Sequence, residues 1–386
     1  MPELFRKSAR DHLENEILQT DDAQLLEATK VALQDDGGDE RIGTLLAVKR
    51  LTILAEHHLL THQKNLLLDP KSLKELGNVG QHSLALLTTG PGDVESLVLI
   101  EWLHYDARWG DEIVGKELRD RVESIAQRLN ITDDHKIPCT LHCRGFFHDG
   151  TQNAFGLVYG IPLVPVGQNH KVITMKDMLA DHDNTHRPPL EDRFELAVDL
   201  VSAVIIFHEV GWLHRNLHPA NILFFPSENS PPSEWFRKPY ITGFTRSRQN
   251  QKYAFTHGPE KDPEALNYQD PRYLRGLGTV RYQKEFDFYS LGMLLLEIGL
   301  WDILSQISNS KSFKDISPEV FKERIIDKRI PQLGVRMGSR YMEATRTCIR
   351  GDFGVDPTIR DTIEGGSALH SALKSQILNR LRSCVV

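Results

Sequence analysis

Apolar positions change their spacing along the chain, and each change marks a boundary. Residues 1 to about 70 are rich in Leu, Ala, Glu and Lys, with apolar residues at helical spacing and a break at QDDGGDE (34–40). That pattern predicts two or three helices. From about 71 to 165 the texture becomes short β-like runs: SLALL (83–87), SLVLIEWLHY (96–105), CTLHCRGFF (139–147) and FGLVYGIPL (155–163). A charged amphipathic helix over Lys116 to Leu129 separates the second run from the third, and TTGPGD (88–93) suits a hairpin turn between the first two. The expectation is a small antiparallel sheet carrying one helix.

Beyond about 166 the pattern is mainly helical. From Leu190 to Val210, the residues Phe194, Ala197, Val201, Val204, Ile205 and His208 fall on one stripe. A Gly-Trp turn, two strand-like runs and a long polar segment follow. The stretch Phe286–Trp301 is then apolar on nearly every side, as in a helix buried at a domain centre. The expected class is α+β, with regions at 1–70, 71–165 and 166–386. There is no repeat period and no heptad run.

Composition narrows the function classes. The 386 residues carry 46 Lys plus Arg against 53 Asp plus Glu, a formal charge of −7. No basic stripe marks a nucleic-acid footprint. With 40% apolar and 26% charged residues the chain sits near the globular average. Its four cysteines form no regular framework, which fits a reducing compartment. The amino terminus is too charged for a secretory signal. The most apolar stretch, Leu196 to Leu213, is interrupted by Asp199, Ser202, His208 and Glu209, so no membrane span is expected. Cys384 is one place short of the prenylation pattern. The expectation is a soluble, cytoplasmic protein.

Two polar clusters invite a metal reading. His57, His58 and His62 lie together, with His58 and His62 on one helix face, but no third ligand type accompanies them, which favours a solvated face. Cys139 and Cys143, near His142 and His148, read as core thiols rather than a zinc pair.

The chemistry-bearing motifs lie further on. Residues 211–225 read GWLHRNLHPANILFF, 239–248 read PYITGFTRSR, 269–274 read QDPRYL, and 287–301 read DFYSLGMLLLEIGLW. In order and spacing these resemble the protein-kinase catalytic loop, Asp-Phe-Gly motif, Ala-Pro-Glu motif and hub helix. The wording is also similar to kinase-like proteins of filamentous fungi that are often joined to a HeLo-type helical domain, of which residues 1–70 would be a shortened remnant. The resemblance implies a bilobal kinase-like fold from about 75 to 386, a small β lobe followed by a large helical one.

Phosphoryl transfer is mostly positioning and charge neutralisation, so the residues it needs form a short list. At the place of the catalytic-loop carboxylate the chain has Asn216, a neutral amide without useful basicity. His214, Arg215 and Asn221 hold their places, and Asn221 supplies one neutral oxygen toward a metal. The metal-binding Asp is replaced by Gly243, followed by Phe244 and Thr245, and magnesium requires hard oxygen ligands. Leu103 falls at the position assigned to the strand lysine, and a register slip places His104 there. A lysine in LLAVKRL (45–51) sits in a helical context, too far from His214 to fit one lobe. Gly77 and Gly80 are the candidate glycine-loop residues, and Glu117 and Glu123 the candidate helix partners of the missing lysine.

What survives has structural work in such a family. His214 and Phe244 pack, Trp212 fills the turn, Gly292 permits close helix approach, and Asp287 is expected to cap its helix and accept N–H groups from the catalytic loop. Arg215 is either a fixed structural residue or a partner for a phosphorylated Thr245, Ser247, Tyr253 or Thr256. Arg272 replaces the motif Glu, and Asp352 or Asp356 would supply a reversed pair.

Three functions follow from the resemblance. The first is a pseudokinase, a signalling or scaffolding module with protein partners and no cofactor. The second is an atypical Ser/Thr kinase using ATP and Mg, with a carboxylate recruited from Glu260, Asp262 or Glu264. The third is an adaptor acting through residues 1–70, with PSENSPPSEWFRK (226–238) either a docking loop or a tolerated insertion.

Overall fold

A computed structural model describes residues 65–88, 95–105, 112–130, 138–162, 171–181, 187–209, 211–226, 235–249, 263–276, 280–304, 306, 316–356 and 363–384, with scattered positions before residue 50. The His57–His62 cluster, the turn at 89–93, the polar insert at 227–234, and Tyr253, Thr256, Glu260 and Asp262 lie outside the described residues, as do the side chains of Glu117 and Glu264. The class is α+β. The chain divides into two compact units: Met1–Leu163 with Glu209–Gly211, and Val164–His208 with Trp212–Val386.

The first unit is built on a five-stranded antiparallel sheet in the order β1-β2-β3-β5-β4. Its strands are β1 (Leu73–Val79), β2 (His82–Leu87), β3 (Ser96–His104), β4 (Cys143–Asp149) and β5 (Ala154–Gly160), with helix α1 (Glu112–Leu129) between β3 and β4. Three of the four expected runs become strands almost as read. The third begins later, at Cys143, because Cys139 turns the chain with φ +58°. Cys139 is half-buried, so of the two expected core thiols only Cys143 lies inside. Strand β1 was not expected: its residues are almost all exposed, so alternation gave no signal. One face of the sheet packs Ala85, Leu87, Val98, Ile100, Phe147 and Val158 into an apolar cluster. The chain at 66–68 covers the β4 edge, exchanging backbone hydrogen bonds with Phe146.

The second unit is mainly helical. It opens with β6 (Ile173–Thr174) and α2 (Met175–Leu179), whose Thr174 and Asp177 form a reciprocal cap. Helix α3 (Leu190–Glu209) buries the predicted stripe and also Leu196, Leu200, Ala203, Ile206 and Phe207. It is enclosed rather than amphipathic. Short strands β7 (Trp212–Leu213), β8 (Ile222–Phe224), β9 (Tyr240–Ile241) and β10 (Arg248–Gln249) follow, pairing as β6-β8-β9 and β7-β10.

After α4 (Pro263–Leu266) and α5 (Pro271–Arg275) comes α6 (Lys284–Leu300), buried from Glu285 to Leu300 as its all-round apolar sequence predicts. Helices α7 (Pro318–Lys328), α8 (Ile330–Arg336), α9 (Ser339–Arg350) and α10 (Ile363–Leu373) close the unit, with a π-helical segment Lys374–Leu378 leading into α11 (Asn379–Arg382). Gly292 lets α6 meet α9: a Cβ there would lie 2.7 Å from an Ile349 side-chain carbon and 2.9 Å from Cys348 Cβ. Among the described residues no helix is long and apolar enough to cross a membrane.

Candidate functional site

The site in the second unit is organised around one buried carboxylate. Asp287 is fully enclosed in the first turn of α6. Its Oδ1 accepts the Arg215 N–H at 2.7 Å and the Tyr282 hydroxyl at 2.9 Å. Its Oδ2 accepts the His214 N–H at 2.8 Å and lies 2.9 Å from His208 Nε2. A carboxylate only accepts, so His208 Nε2 carries the proton, and His208 Nδ1 is buried without a hydrogen-bond partner. Burial pushes the His208 pKa below its ordinary value, against the pull of Asp287. Burial alone would raise Asp287, but the His208 hydrogen bond and the surrounding donors hold it below the usual carboxylate range. The pair is a neutral imidazole beside an anion.

Asp287 therefore accepts the His214 and Arg215 N–H groups, as expected. It does not cap its helix, because α6 begins at Lys284 with Gln283 at the cap position. Arg215, whose N–H is one of these donors, adopts φ +70°, a conformation that costs a non-glycine residue roughly 1–3 kcal/mol.

Arg215 is buried and held by groups of its own unit. It donates to the Arg246 carbonyl at 3.3 Å and the Tyr273 hydroxyl at 3.1 Å, and its guanidinium carbon lies 5.2 Å from the Tyr282 ring centroid. Ser247 is enclosed and donates its hydroxyl to the His214 carbonyl at 3.1 Å, and Thr245 is also buried. Two of the four hydroxyls considered as modification sites are thus inaccessible in this conformation. His214 and Phe244 meet edge to face with ring centroids 4.9 Å apart, and Trp212 stacks on Phe244 at 5.5 Å.

The amides come next. Asn221 Nδ2 donates to the Asn216 carbonyl at 2.8 Å and lies 2.9 Å from His218 Nε2. Because the Asn216 carbonyl is acceptor-only, the amide orientation follows from the bond. Gly243 sits at φ +90° directly beneath: a Cβ built on it would lie 2.3 Å from Asn221 Nδ2 and 3.0 Å from Asn216 Nδ2. The space a metal-binding side chain at 243 would use is filled by two NH₂ groups. Magnesium needs hard, preferably anionic oxygens, and the residues at 216, 221 and 243 offer neutral amides and no carboxylate, so they do not fit the ion. Among the described residues no group of three or more His, Cys, Asp or Glu could hold a metal.

Arg272 finds its carboxylate locally. It grips Asp270 with Nε–Oδ1 at 2.9 Å and Nη2–Oδ2 at 2.8 Å, with Lys322 Nζ 3.9 Å from the same Oδ2. Asp270 also caps α5 through the Arg272 N–H at 2.8 Å. The reversed pair is real, but its acid is neither Asp352 nor Asp356. The sequence signal for it is the Asp-Pro N-cap two residues before the arginine.

In the first unit, Gly77 to Gly80 are the end of β1 and the start of a tight turn to β2. Gly80 has φ +58°, whereas nothing lies within 4 Å of a Cβ at Gly77. The Trp102 indole donates to Ser83 Oγ and that hydroxyl to Asn78 Oδ1, both at 2.8 Å, which pins the turn. Leu103 is half-buried opposite Phe155, and Glu123 is half-buried on α1. The insert ends in an anchor rather than a free loop. Trp235 and Phe236 are buried and stacked, with Phe236 against Phe224 and Trp301.

Residues 152–383 match the family described as Domain of unknown function (DUF7580), and the chain belongs to that family. Part of the chain is also similar to the eIF-2-alpha kinase GCN2 of Schizosaccharomyces pombe, at 25% identity over 137 residues. That match covers 33% of this chain and 8% of the length of that relative.

Proposed function

We propose that this protein is a pseudokinase: a bilobal kinase-like chain kept as a signalling or scaffolding module without magnesium-dependent phosphoryl transfer. The observation that carries the reading is the packing at Gly243, where the amides of Asn221 and Asn216 occupy the space a metal-binding carboxylate needs. The Asp287 anchor, the His214–Phe244 contact and the Gly292 approach all support it, because each is structural and each is intact. The similarity of a third of the chain to part of a protein kinase supports the kinase-like reading. The HeLo-type origin of residues 1–70 rests on the resemblance alone.

The chemistry follows from the side chains. Asn216 cannot take a proton from a substrate hydroxyl, and losing a general base typically costs about 10²- to 10⁴-fold. The Asn221 amide serves as a strut between the catalytic loop and β8 rather than as a metal ligand. Transfer of labelled γ-phosphate to a generic protein acceptor by the purified full chain tests this. The expected result is no signal above background. Transfer abolished by Asn221→Ala would overturn the reading.

A further inference from the structure

The inner sheet of the first unit holds a buried carboxylate that the motifs left unassigned. On β3, Val98 and Ile100 enter the apolar cluster with Ala85, Leu87, Phe147 and Val158. Side chains alternate along a strand, so Leu99, Glu101 and Leu103 lie on the other face. There the register sets Glu101 between His82 of β2 and Leu157 of β5. Glu101 is 3% exposed and His82 1%. The Tyr159 hydroxyl donates to Glu101 Oε2 at 3.1 Å, and Cys143 is the register partner of Tyr159.

The neighbours of Glu101 respond to its charge. Burial lowers the His82 pKa, although Glu101 and the Val79 backbone oppose the shift. Burial pushes the Cys143 thiol up to about 12, with Glu101 adding to the rise. The result is a neutral imidazole, a neutral thiol and a neutral phenol gathered around one carboxylate.

Kinases carry their phosphate-contacting lysine at the end of Val-Ala-Ile-Lys on the third strand, and close their glycine loop with Gly-x-Val. The third strand here reads Val98-Leu99-Ile100-Glu101, and the turn closes as Gly80-Gln81-His82. Val98 and Ile100 share one core while the fourth residue faces away, as the pattern requires. The two motifs then bring their last residues together, since His82 and Glu101 are register partners. Leu103 shares that face but sits one residue from the exposed end of the strand.

We propose that Glu101, rather than Leu103, holds the strand-lysine place, and that its inverted charge bars phosphate groups from this face. The proposal rests on the pseudokinase reading and deepens it: exclusion of nucleotide polyphosphate is built into the first unit independently of the metal-site losses in the second. A lysine restored at the correct position removes a repulsion and supplies an attraction, whereas one at the wrong position does not.

The test uses the full chain, calorimetric titration, and two probes in EDTA, ATP and inorganic tripolyphosphate. Wild type and Leu103→Lys should give no saturable binding. Glu101→Lys should bind both probes saturably, at least roughly tenfold tighter than the weakest binding the Leu103→Lys titration could detect, a difference of about 1.4 kcal/mol. Glu101→Gln keeps an acceptor for Tyr159 and removes only the charge, so it should show a smaller gain, and it alone decides if the lysine variant does not melt cooperatively. Equal or larger gain in Leu103→Lys overturns the assignment. So does the absence of gain in every cooperatively folded Glu101 variant. Magnesium-dependent ATP binding by wild type would instead overturn the pseudokinase reading itself, and it would be seen without any variant.

Discussion

Replacing Asp287 by Asn tests its role as the anchor of the 214–215 backbone, and the cost can be worked from the contacts. An Asn side chain has one acceptor oxygen and one NH₂ donor. If the oxygen takes the Oδ1 place, the Arg215 N–H and Tyr282 hydroxyl keep their acceptor, and the NH₂ faces the His214 N–H. If it is turned round, the Arg215 N–H faces the NH₂. Tyr282 can rotate its hydroxyl and His208 can switch tautomer, but a backbone N–H cannot reverse. One buried backbone donor is therefore orphaned in either orientation, at about 1–3 kcal/mol. The remaining bonds lose charge assistance at about 1 kcal/mol each, giving a total loss of about 3–5 kcal/mol. Urea unfolding followed by near-ultraviolet circular dichroism measures it. The pH dependence has a definite sign. Asp287 has its folded pKa depressed, so its contribution is present above the ordinary carboxylate range and is lost as pH falls through the folded value. The gap between wild type and Asp287→Asn should therefore narrow in acid. A loss below about 1 kcal/mol at neutral pH would refute the anchor reasoning.

Restoring one carboxylate should not restore metal chemistry. Gly243→Asp places a Cβ against Asn221 at a left-handed backbone position, so it should cost about 1–3 kcal/mol by thermal melting and bring no magnesium-dependent stabilisation. Glu297 is fully buried with its pKa pushed up to about 8 by burial, so the folded state holds a proton the unfolded chain releases. Wild-type stability should fall as pH rises from the ordinary glutamate value to about 8, and Glu297→Gln should lack that slope, as melting temperatures at pH 6 and pH 9 will show. Arg272→Ala leaves Asp270 enclosed with the residue-272 N–H on Oδ1 and Lys322 near Oδ2, and without its guanidinium. The expected loss by chemical denaturation is about 2 kcal/mol, below that of a fully buried pair because the Arg272 side chain is partly exposed. Gly292→Val should destabilise by at least about 1–3 kcal/mol in the same assay, since α9 lies in van der Waals contact with that position.

The elements that read most clearly from the sequence were those whose burial is one-sided or complete. Helix α6 is apolar all round and is buried all round, and β3 and β5 emerged as continuous apolar runs. Strand β1 escaped because its pairing is backbone hydrogen bonding to β2, which leaves no apolar alternation to detect. The partner of Arg272 escaped because Asp270 serves at once as cap and counter-ion, and spacing alone points to distant acids as readily as to a near one. The crowding at Gly243 was invisible for a different reason. That a glycine replaces an acid can be read from one letter, but that two amides close over the gap depends on the fold of the loop. The burial of Glu101 was equally hidden, because a single acidic letter inside the apolar run 96–105 does not say which face of the sheet it occupies. The insert at 226–238 is polar in most of its letters, and only Trp235 and Phe236 signalled that its end is anchored.

The most direct measurement is the melting temperature of the purified full chain with millimolar ATP, in parallel with magnesium and with EDTA. Stabilisation by a ligand follows RT ln(1 + [L]/Kd), so binding no tighter than ten times the ATP concentration gives under about 0.1 kcal/mol, and the account predicts no resolvable shift in either condition. A magnesium-dependent rise equivalent to about 2.7 kcal/mol, as for ATP at one hundred times its Kd, would contradict it.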